Sequence, residues 1–165
     1  MIIWRIGTQT RDYKADDLSG VSSARSPGRW NKEGERVVYA ATSVALTFLE
    51  TAAYLGAEDL PMDRFLIAIT VPDDVFRNAE DVDPDTAPPT IFGIPAGHDS
   101  VAIGSKWLCD CSNAILKVPS VHLPKWAMKL DKPEYNVLIN PNHADAERIT
   151  ASVVEAFRYG SLFRR

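Results

Sequence analysis

Residues 2–6 form a short apolar segment and predict a strand that begins almost at the first residue. From 7 to 31 the text turns polar, with Asp12, Asp16, Asp17, Ser19, Gly20, Ser22, Ser23, Pro27 and Gly28. This predicts a long loop with a single helical turn, and loops of that length in compact domains are usually functional or disordered. The loop ends in Gly28-Arg29-Trp30-Asn31, where a glycine lets backbone approach a ligand and an arginine can clamp one. Residues 36–40 are rich in β-branched and aromatic side chains and predict a second strand. Thr42 or Ser43 then caps a helix running to about Leu55, with Gly56 as its stop. On that helix Leu46, Leu49 and Ala53, with Ala45 and Ala52, make the expected apolar stripe. Glu50 stands beside the stripe.

Residues 64–72 carry the strongest strand signal and read as buried on both faces. The Pro- and Asp-rich stretch 73–95 is expected to be loop. Residues 97–111 have mixed helical character, with Val101, Trp107 and Leu108 as candidate buried positions. Two further short strands are expected at 114–118, closed by Pro119-Ser120, and at 136–140, stopped by Pro141. A closing strand is expected at 150–159. No internal repeat or heptad run is present. Short strands interspersed with two or three helices predict an α+β or mixed domain, not a doubly wound parallel fold.

The length of 165 residues predicts one domain spanning 1–165 with its own core. Apolar residues at 45% and charged residues at 24% are the balance of an ordinary globular protein. A net charge of −4 and a pI near 5.3 leave no footprint for direct nucleic-acid binding. A local anion site is still compatible, because Arg5, Arg11, Arg25 and Arg29 all fall within the first thirty residues. Cys109 and Cys111 are too few for a structural zinc site and read as reduced packing residues at a helix end. The start, Met1-Ile2-Ile3-Trp4-Arg5, lacks the pattern of a signal peptide, and no run approaches the ~18 apolar residues of a membrane span. The expectation is a cytoplasmic protein with no membrane partner.

Motifs narrow the chemistry by exclusion. No G-x-G-x-x-G or G-x-x-x-x-G-K-[ST] exists, so Rossmann and P-loop readings have no support. His98, His122 and His143 are scattered without metal-ligand spacing and read as surface or satisfied residues; no metal is expected. No G-x-S-x-G elbow is present. What remains is Arg29 after a glycine, Tyr39 in a strand, Glu50 in a helix and Ser120 after a strand. Unaided, these support no more than an α+β domain with an anion site at Gly28-Arg29.

Seven blocks in order carry more information than any one of them. They are Trp4-Arg5-Ile6, Gly28-Arg29-Trp30-Asn31, Val38-Tyr39-Ala40-Ala41, Ala45-Leu46-Thr47-Phe48-Leu49-Glu50, Gly104-Ser105-Lys106-Trp107, Lys117-Val118-Pro119-Ser120 and the run from Asn136 through Asn140 to His143. Together they resemble the RES domain, over nearly the whole chain. The resemblance implies an ADP-ribosyltransferase-like fold, with small antiparallel or mixed sheets flanked by helices. It implies the toxin of a type II toxin–antitoxin pair, with NAD+ as substrate rather than cofactor and growth arrest as the outcome. The implied partner is an antitoxin with an Xre-like helix-turn-helix region, held in a hetero-oligomer. The implied chemistry is hydrolysis or phosphorolysis of the nicotinamide–ribose bond. Two alternatives stay open: ADP-ribosyl transfer to a cellular protein, and a non-catalytic nucleotide- or antitoxin-binding module. Carried over residue by residue, Glu50 would set its charge beside the developing ribose cation. Arg29 would grip the diphosphate or a ribose oxygen, and Ser120 would hydrogen-bond the nicotinamide ribose or amide. Tyr39 would offer its ring to the nicotinamide. Arg5 is a second candidate for the diphosphate, and Asn31 and Asn140 are weaker binding candidates.

Overall fold

A computed structural model of the chain describes residues 1–53 and 63–159. Its strands are β1 (Ile2–Thr8), β2 (Val38–Ala41), β3 (Arg64–Thr70), β4 (Glu80–Asp81), β5 (Ile115–Val118), β6 (Asn136–Ile139) and β7 (Thr150–Ala156). Its α-helices are α1 (Val21–Arg25), α2 (Val44–Ala52), α3 (Asp73–Arg77) and α4 (His98–Asp110). The strands join in one seven-stranded sheet ordered β4-β5-β6-β2-β1-β3-β7. All neighbours are antiparallel except β4 and β5. The expected α+β class is the observed one. The expected small sheets are the two flanks of this single sheet.

Those flanks are fastened unequally. β1 and β3 pair at seven successive positions from Ile2↔Thr70 to Thr8↔Arg64. β1 and β2 pair only at Trp4↔Ala41. Beyond that pair the loop between β1 and β2 supplies the missing partners. Asp17 O accepts from Arg5 Nη1 at 2.9 Å, and the Ser23 hydroxyl donates to Val37 O at 2.6 Å and accepts from Val37 N–H at 3.0 Å. A buried serine thus answers backbone groups that a longer ladder would have answered.

Strand alternation sends side chains to both faces. In β5 and β6, Ile115, Val137 and Ile139 enter one apolar cluster with Ile3, Ile67 and Ile69. Leu116, Val118 and Leu138 enter a second, with Trp30, Ile91 and Trp107 from the loop and α4. β5 and β6 are therefore buried on both sides. In β3, Leu66, Ile67 and Ile69 are buried and Thr70 is exposed, which matches the double-sided reading over its middle.

Several local expectations need correction. The stretch 73–95 is not continuous loop: it holds α3, β4 and a 3₁₀ turn at Pro89–Phe92. Pro72 and Pro88 sit at the N-termini of the two helical segments, where a missing N–H costs nothing. Residues 98–110 are helical throughout, but only Trp107 of the three expected apolar positions is buried; Ser100, Gly104 and Ser105 accompany it. Small side chains suit this face because a Cβ on Gly104 would lie 1.9 Å from Trp30 O. Cys109 is exposed and Cys111 closes α4 in a left-handed conformation; both are free thiols. β7 stops at Ala156, and its side chains are almost all exposed at the sheet edge. Among the described residues no helix is long and apolar enough to cross a membrane.

Candidate active site

α2 starts at Ser43, whose Oγ accepts from Leu46 N–H at 3.0 Å, as an N-cap should. Leu55 and Gly56, the expected end of this helix, lie outside the described residues. Of the apolar stripe expected from sequence, Leu46 faces inward but Ala45, Leu49 and Ala53 are exposed, and the other buried position is Thr47. Thr47 Oγ1 donates to Trp4 O at 2.9 Å, pinning the helix over β1. Glu50 lies four residues after Leu46 and three after Thr47, on this same side. The inward face is half polar because it covers a cavity as well as the core.

That cavity, about 760 Å³, opens where β1 and β2 part. Its walls include Trp4, Ile6 and Thr8 on one flank, Tyr39 and Ala41 on the other, and Glu50 with Thr51 from α2. The volume is that of a pocket for a ligand of several hundred daltons. Arg5, Arg29, Arg64 and His122 also border it, and among its described lining residues Glu50 is the sole carboxylate. A chain of net charge −4 therefore carries a cationic pocket with one negative group.

Glu50 is held firmly. Its Oε1 accepts from Ser120 Oγ and from Asn136 Nδ2, both at 2.6 Å, and its Oε2 faces His122 Nε2 at 3.8 Å. The Ser120 hydroxyl in turn accepts from the His122 backbone N–H at 3.1 Å. Asn136 enters this cluster because β6 pairs with β2 at Ala41↔Asn136, next to the β1–β2 junction. Short bonds to an ionised acceptor are the stronger kind, so this arrangement aims the carboxylate rather than leaving it to solvent.

The arginines are placed differently. Arg29 Nη1 donates to Ile91 O at 3.1 Å and Gly93 O at 2.8 Å, fastening the segment that continues into the cavity wall at Ile94, Pro95 and Ala96. Of the five N–H groups of a guanidinium, three remain for a ligand. Arg29 and Glu50 share the cavity without forming an ion pair. Burial pulls the Arg5 pKa below the ordinary arginine value, opposed by nearby Asp17 and Tyr13 and reinforced by Arg64. Arg64 Nη1 bonds Thr8 Oγ1, while its Nε is buried without a partner among the described residues. Neither Arg5 nor Arg64 is neutralised by a carboxylate ion pair with a described residue.

Tyr39 lines the cavity with its hydroxyl fixed, donating to Asn31 Oδ1 at 2.8 Å and accepting from Trp30 N–H at 3.0 Å. A Cβ on Gly28 would come within 2.7 Å of the Tyr39 ring and hydroxyl, so glycine at 28 is what lets loop and ring meet.

A protein-family comparison matches the RES domain over residues 2–160. The chain belongs to the RES family. Its RES relatives match over almost their full length. A Sphingobium sp. (strain YBL2) protein named "Prs ADP-ribosylating toxin" is 44% identical over 156 residues, 94% of this chain and 92% of that one. A Pseudomonas putida (strain KT2440) protein named "Toxin Res" is 34% identical over 166 residues, 99% of this chain and 100% of that one. Among solved structures, a chain of the M. tuberculosis MbcT–MbcA toxin–antitoxin complex aligns with a TM-score of 0.57 at 16% identity. That alignment covers 94% of this chain and 84% of the other and establishes a shared fold. The chain is a RES-domain toxin.

Within this RES fold, Arg5, Arg29, Tyr39 and Glu50 border one cavity, and Ser120 meets it through Glu50. Asn31 and Asn140 are not brought there. The Asn31 side chain is buried and spent on Gly28 N–H, Tyr39 and the carbonyls of Ser23, Lys32 and Glu35. Asn140 is fully buried, donating to Leu108 O and Cys111 Sγ and accepting from Asn142 N–H. Both act as structural hydrogen-bonding residues because their amides answer buried backbone. Sequence reasoning missed Asn136, Arg64 and His122. Asn136 stands inside one of the seven blocks, and only its register against Ala41 reveals its direction. His122, read from sequence as a surface or satisfied residue, has its side chain against Glu50. Nothing local marks Arg64 or His122.

Proposed function

We propose that this toxin consumes NAD+ by breaking its nicotinamide–ribose bond and passing ADP-ribose to an acceptor, depleting NAD+ and arresting growth. The observation that carries the reading is Glu50, oriented by Ser120 and Asn136 as the sole carboxylate among the described lining residues of a cavity that three guanidiniums also border. Loss of nicotinamide leaves an oxocarbenium-like ribose, and a fixed negative charge beside it lowers the barrier without reorganisation. The cationic wall suits the diphosphate, for which Arg29 keeps three donors and Arg5 and Arg64 are further candidates. Tyr39 is suited to lie against the nicotinamide ring. Ser120, committed to Glu50, acts by holding the carboxylate.

With water or phosphate as acceptor the protein is a glycohydrolase or phosphorylase. A second reading, transfer to a protein side chain, is favoured by the relative named "Prs ADP-ribosylating toxin" at 44% identity. The partner we propose is an antitoxin with an Xre-like helix-turn-helix region, in keeping with the toxin–antitoxin complex that shares this fold. Incubating the purified protein with NAD+, with and without phosphate, should release nicotinamide, and Glu50→Gln should lower the rate about 10³-fold. No release, or equal release by the variant, refutes the proposal. Adenylate-labelled NAD+ separates the acceptors: free ADP-ribose, its phosphorylated form, or a labelled protein.

A further inference from the structure

The Glu50 carboxylate is bonded on one side only. Oε1 takes both short hydrogen bonds, whereas Oε2 has no hydrogen bond to a described residue and stands 3.8 Å from His122 Nε2. That separation is too long for a hydrogen bond between them. An oxygen placed beside the gap reaches both atoms at about 2.8 Å. Both side chains are reachable from the cavity, at 23% exposure for Glu50 and 22% for His122. The main chain at His122 is tied to the same network, its backbone N–H bonded to the hydroxyl that orients Glu50. The other ionisable groups that line the cavity are Glu50 from α2, Arg5 from β1, Tyr39 from β2, Arg64 from β3 and Arg29 from the loop. Among the described residues only Glu50 comes within ion-pair distance of His122.

We infer that His122 is a catalytic residue, the general base that removes the proton from the acceptor. The inference rests on the NAD+-cleavage reading above and adds the part that reading lacks. An acceptor hydroxyl lies in the gap; its oxygen bonds the anomeric carbon as the bond from that carbon to the nicotinamide nitrogen breaks. The pair of electrons from the broken bond returns to the pyridinium ring, which leaves as neutral nicotinamide. The acceptor's proton passes to His122 Nε2 and then to solvent. Glu50 is ill suited to be that base, because by taking the proton it would lose its charge just as the ribose becomes cationic. Two groups side by side separate the roles, and histidine is the commonest proton acceptor in such steps.

The test compares wild type, His122→Ala, His122→Gln and Glu50→Gln in nicotinamide release, with water as acceptor and then with sodium azide. Azide is an anionic nucleophile with no proton to give up. The His122 variants should lose about 10²-fold or more in kcat with little change in the KM for NAD+. Azide should restore His122→Ala at least about tenfold, forming an azido adduct of ADP-ribose, and should leave Glu50→Gln unrestored. His122→Gln keeps the side chain's bulk and guards against a folding defect in the alanine variant. His122 variants that keep the wild-type rate, lose NAD+ affinity in proportion, or gain nothing from azide overturn this assignment alone. Wild type that releases no nicotinamide overturns the NAD+ reading, and this one with it.

Discussion

Two polar clusters border the same cavity and are closed to different degrees. Around Asn31 each polar side-chain atom is answered from within: the amide nitrogen by three carbonyls, the amide oxygen by Gly28 N–H and the Tyr39 hydroxyl. Around Glu50 the closure stops halfway, with Oε1 doubly bonded and Oε2 left toward His122 and the cavity. A buried network with all members satisfied makes a loop rigid, and here it shapes the corner that carries Arg29 and Trp30. A network with one acceptor unspent has capacity for a ligand. The difference teaches that polar burial near a pocket is no sign of chemistry; the sign is what the network leaves over.

Substitutions can break or sharpen this contrast, and a tenfold rate change, about 1.4 kcal/mol, puts activity and stability on one scale. Glu50→Gln has the largest expected effect, a loss of about 10³-fold in nicotinamide release with thermal stability unchanged. A marked fall in its melting temperature would instead place Glu50 with the structural cluster. Asn31→Ala strands several buried backbone groups and should cost about 3 kcal/mol of unfolding free energy. In a chain of this size that is a fall of about 6 to 12 °C in Tm by calorimetry. Nicotinamide release per folded molecule should change far less, and a variant that is stable but inactive breaks the contrast from the other side. Ser120→Ala frees one of two bonds on Oε1, and about a tenfold loss in kcat with intact stability is expected from steady-state kinetics. Tyr39→Phe keeps the ring at the cavity and loses two hydroxyl bonds, for about 1 kcal/mol in denaturant unfolding and near wild-type turnover. An inactive Tyr39→Phe protein of normal stability would move the hydroxyl into the reacting centre.

Much of the fold was legible because strands and caps are local events. Residues 137–139 are apolar with a proline at 141, and β6 is there; Ser43 precedes a periodic run, and it caps α2. The stretch 73–95 was not legible, since Pro and Asp mark helix starts as readily as loops and only packing of Val75 and Ile91 decides between them. The apolar stripe of α2 misled for a related reason. Leucine and alanine normally turn inward, but on this helix the inner side borders a cavity, so Thr47 and Glu50 share it with Leu46 and Leu49 lies outside. Asn31 and Asn140 were binding candidates because they stand inside two of the matched blocks. Their amides are consumed by backbone that no sequence reading can see is buried.

The order and types of residues alone determined the succession of strands and helices outside 73–95, the acidic overall balance and, through seven blocks in sequence, the family. These depend on neighbours a few positions apart, or on sums over the whole chain. Tertiary structure decided which side chains share the pocket. Ser120 and Asn136 reach Glu50 across 70 and 86 positions of chain. They meet only because the sheet runs β5-β6-β2-β1, an order unlike that of the sequence, and because β1 and β2 part after one pair and leave room beside the carboxylate.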